Sequence, residues 1–119
     1  MPYIVGPTTP SYLNMSNGVV QSGILTTSAT GAATLLSLTA SDYRSVDYQI
    51  QAVRGSNYNS TTVKVVHDGT NTDMTEFASV NTGIATYSTD INSGTLRLLG
   101  YPSSSDSTTF KVIYSAIKA

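Results

Sequence analysis

Short runs of strand-forming residues alternate with turn residues along this sequence, and this alternation restricts its fold more than any other feature. Clusters of Gly, Asn, Asp and Ser recur about every ten residues, a spacing typical of β-sandwiches and β-barrels. No window carries the apolar stripe of about 3.6-residue period that an amphipathic helix needs. Ser and Thr make up more than a quarter of the chain, and Thr favours strands while Ser favours turns. We therefore predict one all-β domain, an antiparallel β-sandwich or jelly-roll-like fold of seven to eight short strands.

Residues 45–54 form the clearest predicted strand. Apolar and polar side chains alternate over its length, so one face is expected to be buried and the other to meet water. Further strands are predicted at residues 19–27, 33–38, 84–91, 95–100 and 108–117. The last of these has apolar side chains on both faces, with Ile113 and Ile117 opposite Phe110. Such a strand is either central in its sheet or part of a subunit contact.

The stretch from residue 60 to residue 80 is predicted to be a β-hairpin. Its two strands, residues 60–67 and 72–80, flank an Asp-Gly step at residues 68 and 69. Gly accepts positive φ freely, which makes this step a strong turn signal between two strand-like runs. The hairpin also holds the only His and the only Glu of the chain. An active site, if the protein had one, would be expected here.

Residues 1–18 are predicted to be an extended, proline-rich arm, and residues 19–119 the β-sandwich domain. The first 18 residues carry three of the four prolines, and proline cannot donate to a sheet ladder. The apolar side chains of this arm are Tyr3, Ile4, Val5, Tyr12 and Leu13. Two interpretations stay open: a mobile terminus, or an arm that packs on the body or on a neighbouring subunit.

Several functional classes are disfavoured by composition. The chain has no Cys, which excludes disulfides, thiolate metal sites and cysteine nucleophiles. Its net charge is −1 and its six Lys and Arg are scattered, so no nucleic-acid partner is expected. No apolar run approaches the roughly 20 residues that span a bilayer, and the N-terminus lacks the pattern of a signal peptide. Folding in a cytoplasm, with no membrane partner, is expected.

The residues that could carry chemistry are few. His67 could act with Glu76 in a small hydrolase, but a His at a strand end that bonds to a turn is the commoner case. Asp68, Asn71 and Asp73 resemble part of a calcium loop, yet Glu76 comes too early for that pattern. A glycosidase pair of Glu76 with Asp73 or Asp90 has no evident cleft. We predict no catalytic residue, no cofactor and no metal.

Tyr58 and Tyr101 are the residues that could contact glycans. Both lie at predicted turns, where an aromatic ring can stack on a sugar. Tyr side chains at such positions are more often the amphipathic rim of a core or an interface.

From residue 46 onward the sequence resembles a β-rich module of virion structural proteins of tailed phages, especially marine and cyanobacterial phages. The matching segments are Asp-Tyr-Gln-Ile-Gln-Ala-Val-Arg-Gly (47–55), Tyr58 ahead of Ser-Thr-Thr-Val-Lys-Val (60–65), Val-His-Asp-Gly-Thr (66–70), Thr-Glu-Phe-Ala (75–78), Thr-Asp-Ile (89–91), Gly-Thr-Leu-Arg-Leu-Leu (94–99) and Thr-Thr-Phe-Lys-Val-Ile (108–113). The resemblance covers about 60% of the chain and implies a structural module of a virion, made in the host cytoplasm and not an enzyme.

Within that class the short chain and its arm favour a capsid decoration (cement) protein. Such a protein would be a homotrimer that binds the major capsid protein and bridges capsomers. The expected subunit or capsid contacts are Tyr3, Ile4, Val5, Tyr12, Leu13, Ile113 and Ile117. The alternatives are a short tail or fibre knob that contacts host surface glycans, and a carbohydrate-binding β-sandwich.

Overall fold

The computed structural model describes residues 12–119 (for Tyr12, the backbone only), which form two packed antiparallel β-sheets. The strands are β1 (Tyr12–Met15), β2 (Gly18–Thr27), β3 (Ala33–Thr39), β4 (Tyr43–Arg54), β5 (Asn57–His67), β6 (Thr72–Val80), β7 (Ala85–Asn92), β8 (Thr95–Pro102) and β9 (Thr108–Lys118). The predicted all-β antiparallel fold is confirmed. The described residues hold nine strands rather than seven to eight, and the additional one is β1.

Strand β1 lies inside the segment that the sequence predicts to be an arm. It pairs with β2 in an antiparallel hairpin, from Tyr12 opposite Gln21 to Met15 opposite Gly18. A run of four residues is too short for alternation to reveal it. The rest of the predicted arm, residues 1–11, lies outside the described residues.

The larger sheet has the strand order β1-β2-β9-β4-β5-β6, and the smaller one the order β3-β8-β7. The last strand, β9, lies in the middle of the larger sheet and pairs with β2 on one side and with β4 on the other. The two-sided apolar pattern predicted a central strand or a subunit contact, and the first of these is what the sheet shows. Strands far apart in the chain are therefore neighbours.

The core lies between the two sheets. In β4 the side chains of Val46, Tyr48 and Ile50 are at most 2% exposed, as the alternation predicts. From the smaller sheet, Leu96 and Leu98 of β8 are 0% exposed and belong to the same apolar cluster. Burying each Leu side chain contributes about 1.5–3 kcal/mol. The smaller sheet thus packs on the inner face of the larger sheet.

The outer face of the larger sheet has no layer of described residues over it. Side chains that alternate with the core residues point outward there, and several of them are apolar. Ile24 of β2 is 66% exposed, and Ile113 and Ile117 of β9 are 56% and 59% exposed. The twisted sheet therefore presents a broad, mixed polar and apolar surface to solvent. Within residues 12–119 no helix is long and apolar enough to cross a membrane.

Candidate functional site

The single histidine joins the β5–β6 loop to the start of β4. His67 is 5% exposed. Its Nδ1 accepts a hydrogen bond from the Gly69 N–H at 2.9 Å, and its Nε2 faces the Tyr43 carbonyl oxygen, to which it donates. Both ring nitrogens are therefore engaged, which corresponds to the neutral Nε2-protonated imidazole. The ring ties the hairpin loop to the start of β4, and neither nitrogen faces a nucleophile.

Glu76 does not meet His67. The register sets Glu76 opposite Val63, four residues along β5 from His67, which is about 13 Å at the usual strand rise. Its carboxylate accepts hydrogen bonds from the hydroxyls of Thr61 at 2.9 Å and Ser79 at 3.1 Å. The contact with Thr61 fastens β6 to β5 beside a bulge. The two residues of the hydrolase alternative are thus separate structural groups.

The other acidic candidates are also held by local contacts. The Asp68 carboxylate accepts hydrogen bonds from the backbone N–H groups of Asn71 and Thr70, which lower its pKa. Asp90 forms a bidentate pair with Arg97, at 2.6 and 2.8 Å, and the hydrogen bonds from that guanidinium lower the pKa of Asp90. In the part of the chain that the structure describes, no three His, Cys, Asp or Glu side chains form a group that could hold a metal ion.

A cleft of about 620 Å³ opens on the outer face of the larger sheet. Its outward side chains are Ser22, Ile24, Gln49, Gln51, Ser60, Thr62, Lys111 and Ile113. We call it the outer-face cleft. Its volume is within the roughly 300–1,000 Å³ of small-molecule sites.

Backbone pairing of four strands sets the geometry of the outer-face cleft. Gln49 of β4 lies opposite Thr62 of β5 and, on its other side, opposite Ile113 of β9. Two residues along β4, Gln51 lies between Ser60 and Lys111 in the same way. Strands β2 and β9 add Ile24 opposite Lys111. The cleft is therefore a short array of amide and hydroxyl groups on a rigid sheet.

The amide and hydroxyl groups of this lining can bind a polar ligand through hydrogen bonds. Gln side chains both donate and accept hydrogen bonds, and Ser and Thr hydroxyls do the same. Such groups match the hydroxyls of a sugar, which also donate and accept. No carboxylate lines the cleft, whereas glycoside hydrolysis ordinarily needs a pair of them. The arrangement can hold a polyhydroxylated ligand but does not supply an acid and a base for its cleavage.

The two predicted glycan contacts lie on different sheets. Tyr58 of β5 is 61% exposed and precedes Ser60 by two positions on the same outer face, at the rim of the outer-face cleft. Tyr101 belongs to β8 of the smaller sheet, and its hydroxyl is 3.0 Å from that of Ser88. The structure does not bring the two rings together. Glycan contact by either ring stays a prediction.

The predicted subunit or capsid contacts are only partly within the described residues. Ile113 and Ile117 lie on the exposed outer face, and Leu13 is half-buried in β1. Tyr3, Ile4, Val5 and the side chain of Tyr12 lie outside the described residues. Contact with a sister subunit or a capsid stays a prediction.

Sequence reasoning missed the outer-face cleft. The polar residues at positions 49 and 51 are recognisable as the solvent face of a strand, and so are those at positions 60 and 62. Their pattern shows which side chains point outward. It does not show that β2, β9, β4 and β5 are consecutive in one sheet, and that order alone makes their polar faces one site.

The same fold occurs within a phage tailspike. The chain is similar to part of tailspike protein gp49 from Acinetobacter baumannii bacteriophage Fri1, a capsular polysaccharide depolymerase, with a TM-score of 0.56 and 13% identity over 92% of this chain and 20% of that chain. A weaker likeness, with a TM-score of 0.43 and 12% identity, covers 99% of this chain and 25% of the tailspike protein of Acinetobacter phage vB_ApiP_P1. No protein-family model and no curated protein sequence matches this chain.

These similarities concern the fold alone. The chain spans between a fifth and a quarter of the length of the two tailspikes. It is an all-β sandwich of a kind that also forms one part of a phage tailspike.

Proposed function

We propose that the chain is a binding module of a phage tail protein, of the tailspike or tail-fibre class, that attaches to a bacterial surface polysaccharide through the outer-face cleft without cleaving it. The observation that carries the proposal is the lining of that cleft with amide and hydroxyl groups from β2, β4 and β5, beside Lys111 of β9. The shared fold with part of a capsular polysaccharide depolymerase supports it.

Gln49 and Gln51 are the central groups of the proposed binding surface. They point outward from one strand in the middle of the sheet, so their separation is set by the strand itself. A ligand would therefore meet donors and acceptors that are already in place, which lowers the ordering cost of binding. The exposed side chains of Ile24 and Ile113 offer apolar contacts for the C–H faces of a sugar ring.

A single module of this kind binds weakly, and several copies bind strongly. A few hydrogen bonds at about 1 kcal/mol each give modest affinity. Linking identical sites raises the effective concentration of each site for the same polymer, and avidity can exceed the single-site affinity by about 100-fold or more. A homotrimer on a virion would supply this repetition, and it remains part of the proposal.

The tail location is better supported than the capsid decoration role expected from the sequence. Part of a phage tailspike shares the fold, which favours a tail or fibre module. Among the capsid contacts expected from the sequence, Ile113 and Ile117 are the ones that the described residues show as exposed. Those two residues serve a subunit contact within a tail protein equally well.

The test is a binding assay with the full chain against an array of bacterial surface polysaccharides, followed by calorimetry on the strongest binder. The double variant Gln49→Ala/Gln51→Ala should lose about 2 kcal/mol, which is about 30-fold in Kd. Ser115→Ala is the matched control, because Ser115 is an exposed outward residue of β9 that does not line the cleft. Equal loss in the control and the double variant would refute a role for the cleft. Release of new reducing ends from the bound polysaccharide would refute the non-catalytic assignment.

A further inference from the structure

Two lysines point outward from the larger sheet, and they are in different electrostatic situations. Lys64 of β5 has its Nζ 3.0 and 3.3 Å from the two carboxylate oxygens of Asp47. Lys111 of β9 lies in the outer-face cleft, between Ile24 and Gln51, and forms no salt bridge among the described residues. One lysine is neutralised on the protein and the other is not.

No carboxylate within the cleft offsets the charge of Lys111. The lining contains no Asp and no Glu. Asp47 lies opposite Ser115, four residues along β9 from Lys111, which is about 13 Å at the usual strand rise. That separation exceeds the Debye length of about 8 Å at physiological salt, and Asp47 is already paired with Lys64. The outer-face cleft therefore carries a local positive charge in a chain whose net charge is −1.

The charge of Lys111 lies beside amide and hydroxyl groups that can form hydrogen bonds with a sugar. Gln51 lies directly opposite Lys111, and Ser60 lies directly opposite Gln51. An anion bound at the Lys111 Nζ would be flanked by an amide and a hydroxyl that can bond the neighbouring hydroxyls of the same sugar. A charge-assisted hydrogen bond is roughly twice as strong as a neutral one, so the anionic group would dominate the choice of ligand.

From these contacts we propose that the outer-face cleft selects an acidic polysaccharide, one whose repeating unit carries a carboxylate, by pairing that carboxylate with Lys111. This inference rests on the proposed function and names its substrate class. A single ammonium group matches a singly charged carboxylate. The cleft supplies no Arg fork, the group that recognises phosphate bidentately, so an acidic sugar fits better than a phosphate ester.

The experiment measures binding of the full chain to alginate, polygalacturonate, hyaluronate, bacterial capsular polysaccharides with and without uronic acids, and dextran as a neutral polymer. The tightest acidic binder is then tested again after chemical reduction of its carboxyl groups. We expect the reduced polymer to bind about tenfold more weakly. Lys111→Gln should weaken binding of the acidic polymer by a similar factor and weaken binding of the reduced polymer by a clearly smaller factor.

Two further variants make the result specific. Lys64→Gln removes a lysine of the same face that is already paired, and should change binding less than twofold. Lys111→Arg keeps the charge and should keep most of the affinity. Because Lys111 is exposed, the variants should have the unfolding midpoint of the native chain, which thermal melts verify. Higher salt should weaken binding of the native chain and have little effect on Lys111→Gln.

The outcomes separate the two proposals. If neutral and acidic polymers bind equally and Lys111→Gln has no effect, the acidic selection is wrong while the polysaccharide-binding function stands. If Lys64→Gln and Lys111→Gln weaken binding equally, the charge acts through the general field of the face, and the assignment to Lys111 is wrong. If no polysaccharide binds, both proposals are wrong.

Discussion

Replacing Tyr48 by Phe should make this protein more stable, although it removes a polar group from a natural core. The Tyr48 side chain is 0% exposed, and its hydroxyl has no hydrogen-bond partner among the described residues. Its ring packs against that of Tyr114, with the ring centroids 5.9 Å apart. Burial, and secondarily the neighbouring Tyr114, raises the pKa of Tyr48 strongly, so the hydroxyl stays neutral at any physiological pH.

The expected gain follows from the cost of burying an unpaired hydroxyl. A buried polar group without a partner costs about 1–3 kcal/mol. Tyr48→Phe deletes one oxygen atom and keeps the ring. The small void that it leaves is destabilising and cancels part of the stabilisation. We expect the free energy of unfolding to rise by about 1 kcal/mol, which raises Tm by about 4 °C in a domain of this size.

A second tyrosine supplies the matched control. Tyr87 is also buried, at 7% exposure, but its hydroxyl donates a hydrogen bond to Asn59 Oδ1 at 2.9 Å. Tyr87→Phe should therefore lower the free energy of unfolding by about 1–2 kcal/mol, because it leaves a buried amide oxygen unpaired. The same change from Tyr to Phe should therefore raise the free energy of unfolding at position 48 and lower it at position 87.

The measurement is urea unfolding of the native chain and both variants, followed by circular dichroism, with thermal melts as a second readout. The slope of the urea transition should be the same in all three proteins, because the surface exposed on unfolding barely changes. A Tyr48→Phe variant less stable than the native chain would refute the reasoning, and so would an equal loss at both positions.

Two further predictions concern packing and pH. Gly18→Ala should destabilise the fold by about 1–3 kcal/mol, because its Cβ would lie only 2.3 Å from the backbone carbonyl oxygen of Ala116 in β9. The control is Gly31→Ala, whose Cβ would meet no atom within 4 Å and which should change stability by less than about 0.5 kcal/mol. Equal urea midpoints for the two variants would contradict this. Stability should also fall with acidification, because the backbone N–H groups at Asn71 and Thr70 hold the pKa of Asp68 below its value in the unfolded chain. The contribution is present above the unfolded pKa of about 4 and is lost as the pH falls through the lower folded value. Asp68→Asn, which keeps an acceptor oxygen but cannot titrate, should flatten part of this dependence in urea titrations below about pH 5, and an unchanged slope would count against it.

The strand pattern could be read from the sequence because it is local. Alternation over residues 45–54 is set by the period of two in a strand, and the Asp-Gly step marks the hairpin because Gly tolerates positive φ. At Gly69 the φ angle is 97°, and the four-residue loop closes with His67 opposite Thr72. The interpretation of His67 as a structural residue that bonds to the turn is also based on local sequence, and it is confirmed.

The candidate site could not be read in the same way. The outer-face cleft needs Gln49, Thr62 and Lys111 side by side, and these residues come from β4, β5 and β9. Their proximity depends on β9 inserting between β2 and β4, which brings together segments that are far apart in the chain. For the same reason Tyr58 and Tyr101, alike in sequence context, lie on different sheets.

The sequence by itself determined that this chain is an antiparallel β-protein, which side chains of β4 are buried, and where the central hairpin turns. Those properties follow from the geometry of single strands and turns. Tertiary structure alone decided the strand order, and with it which polar faces merge into a cleft and which lysine is left unpaired there. Each strand could pair with several distant strands, and most of those pairings are compatible with the same alternation of apolar and polar residues.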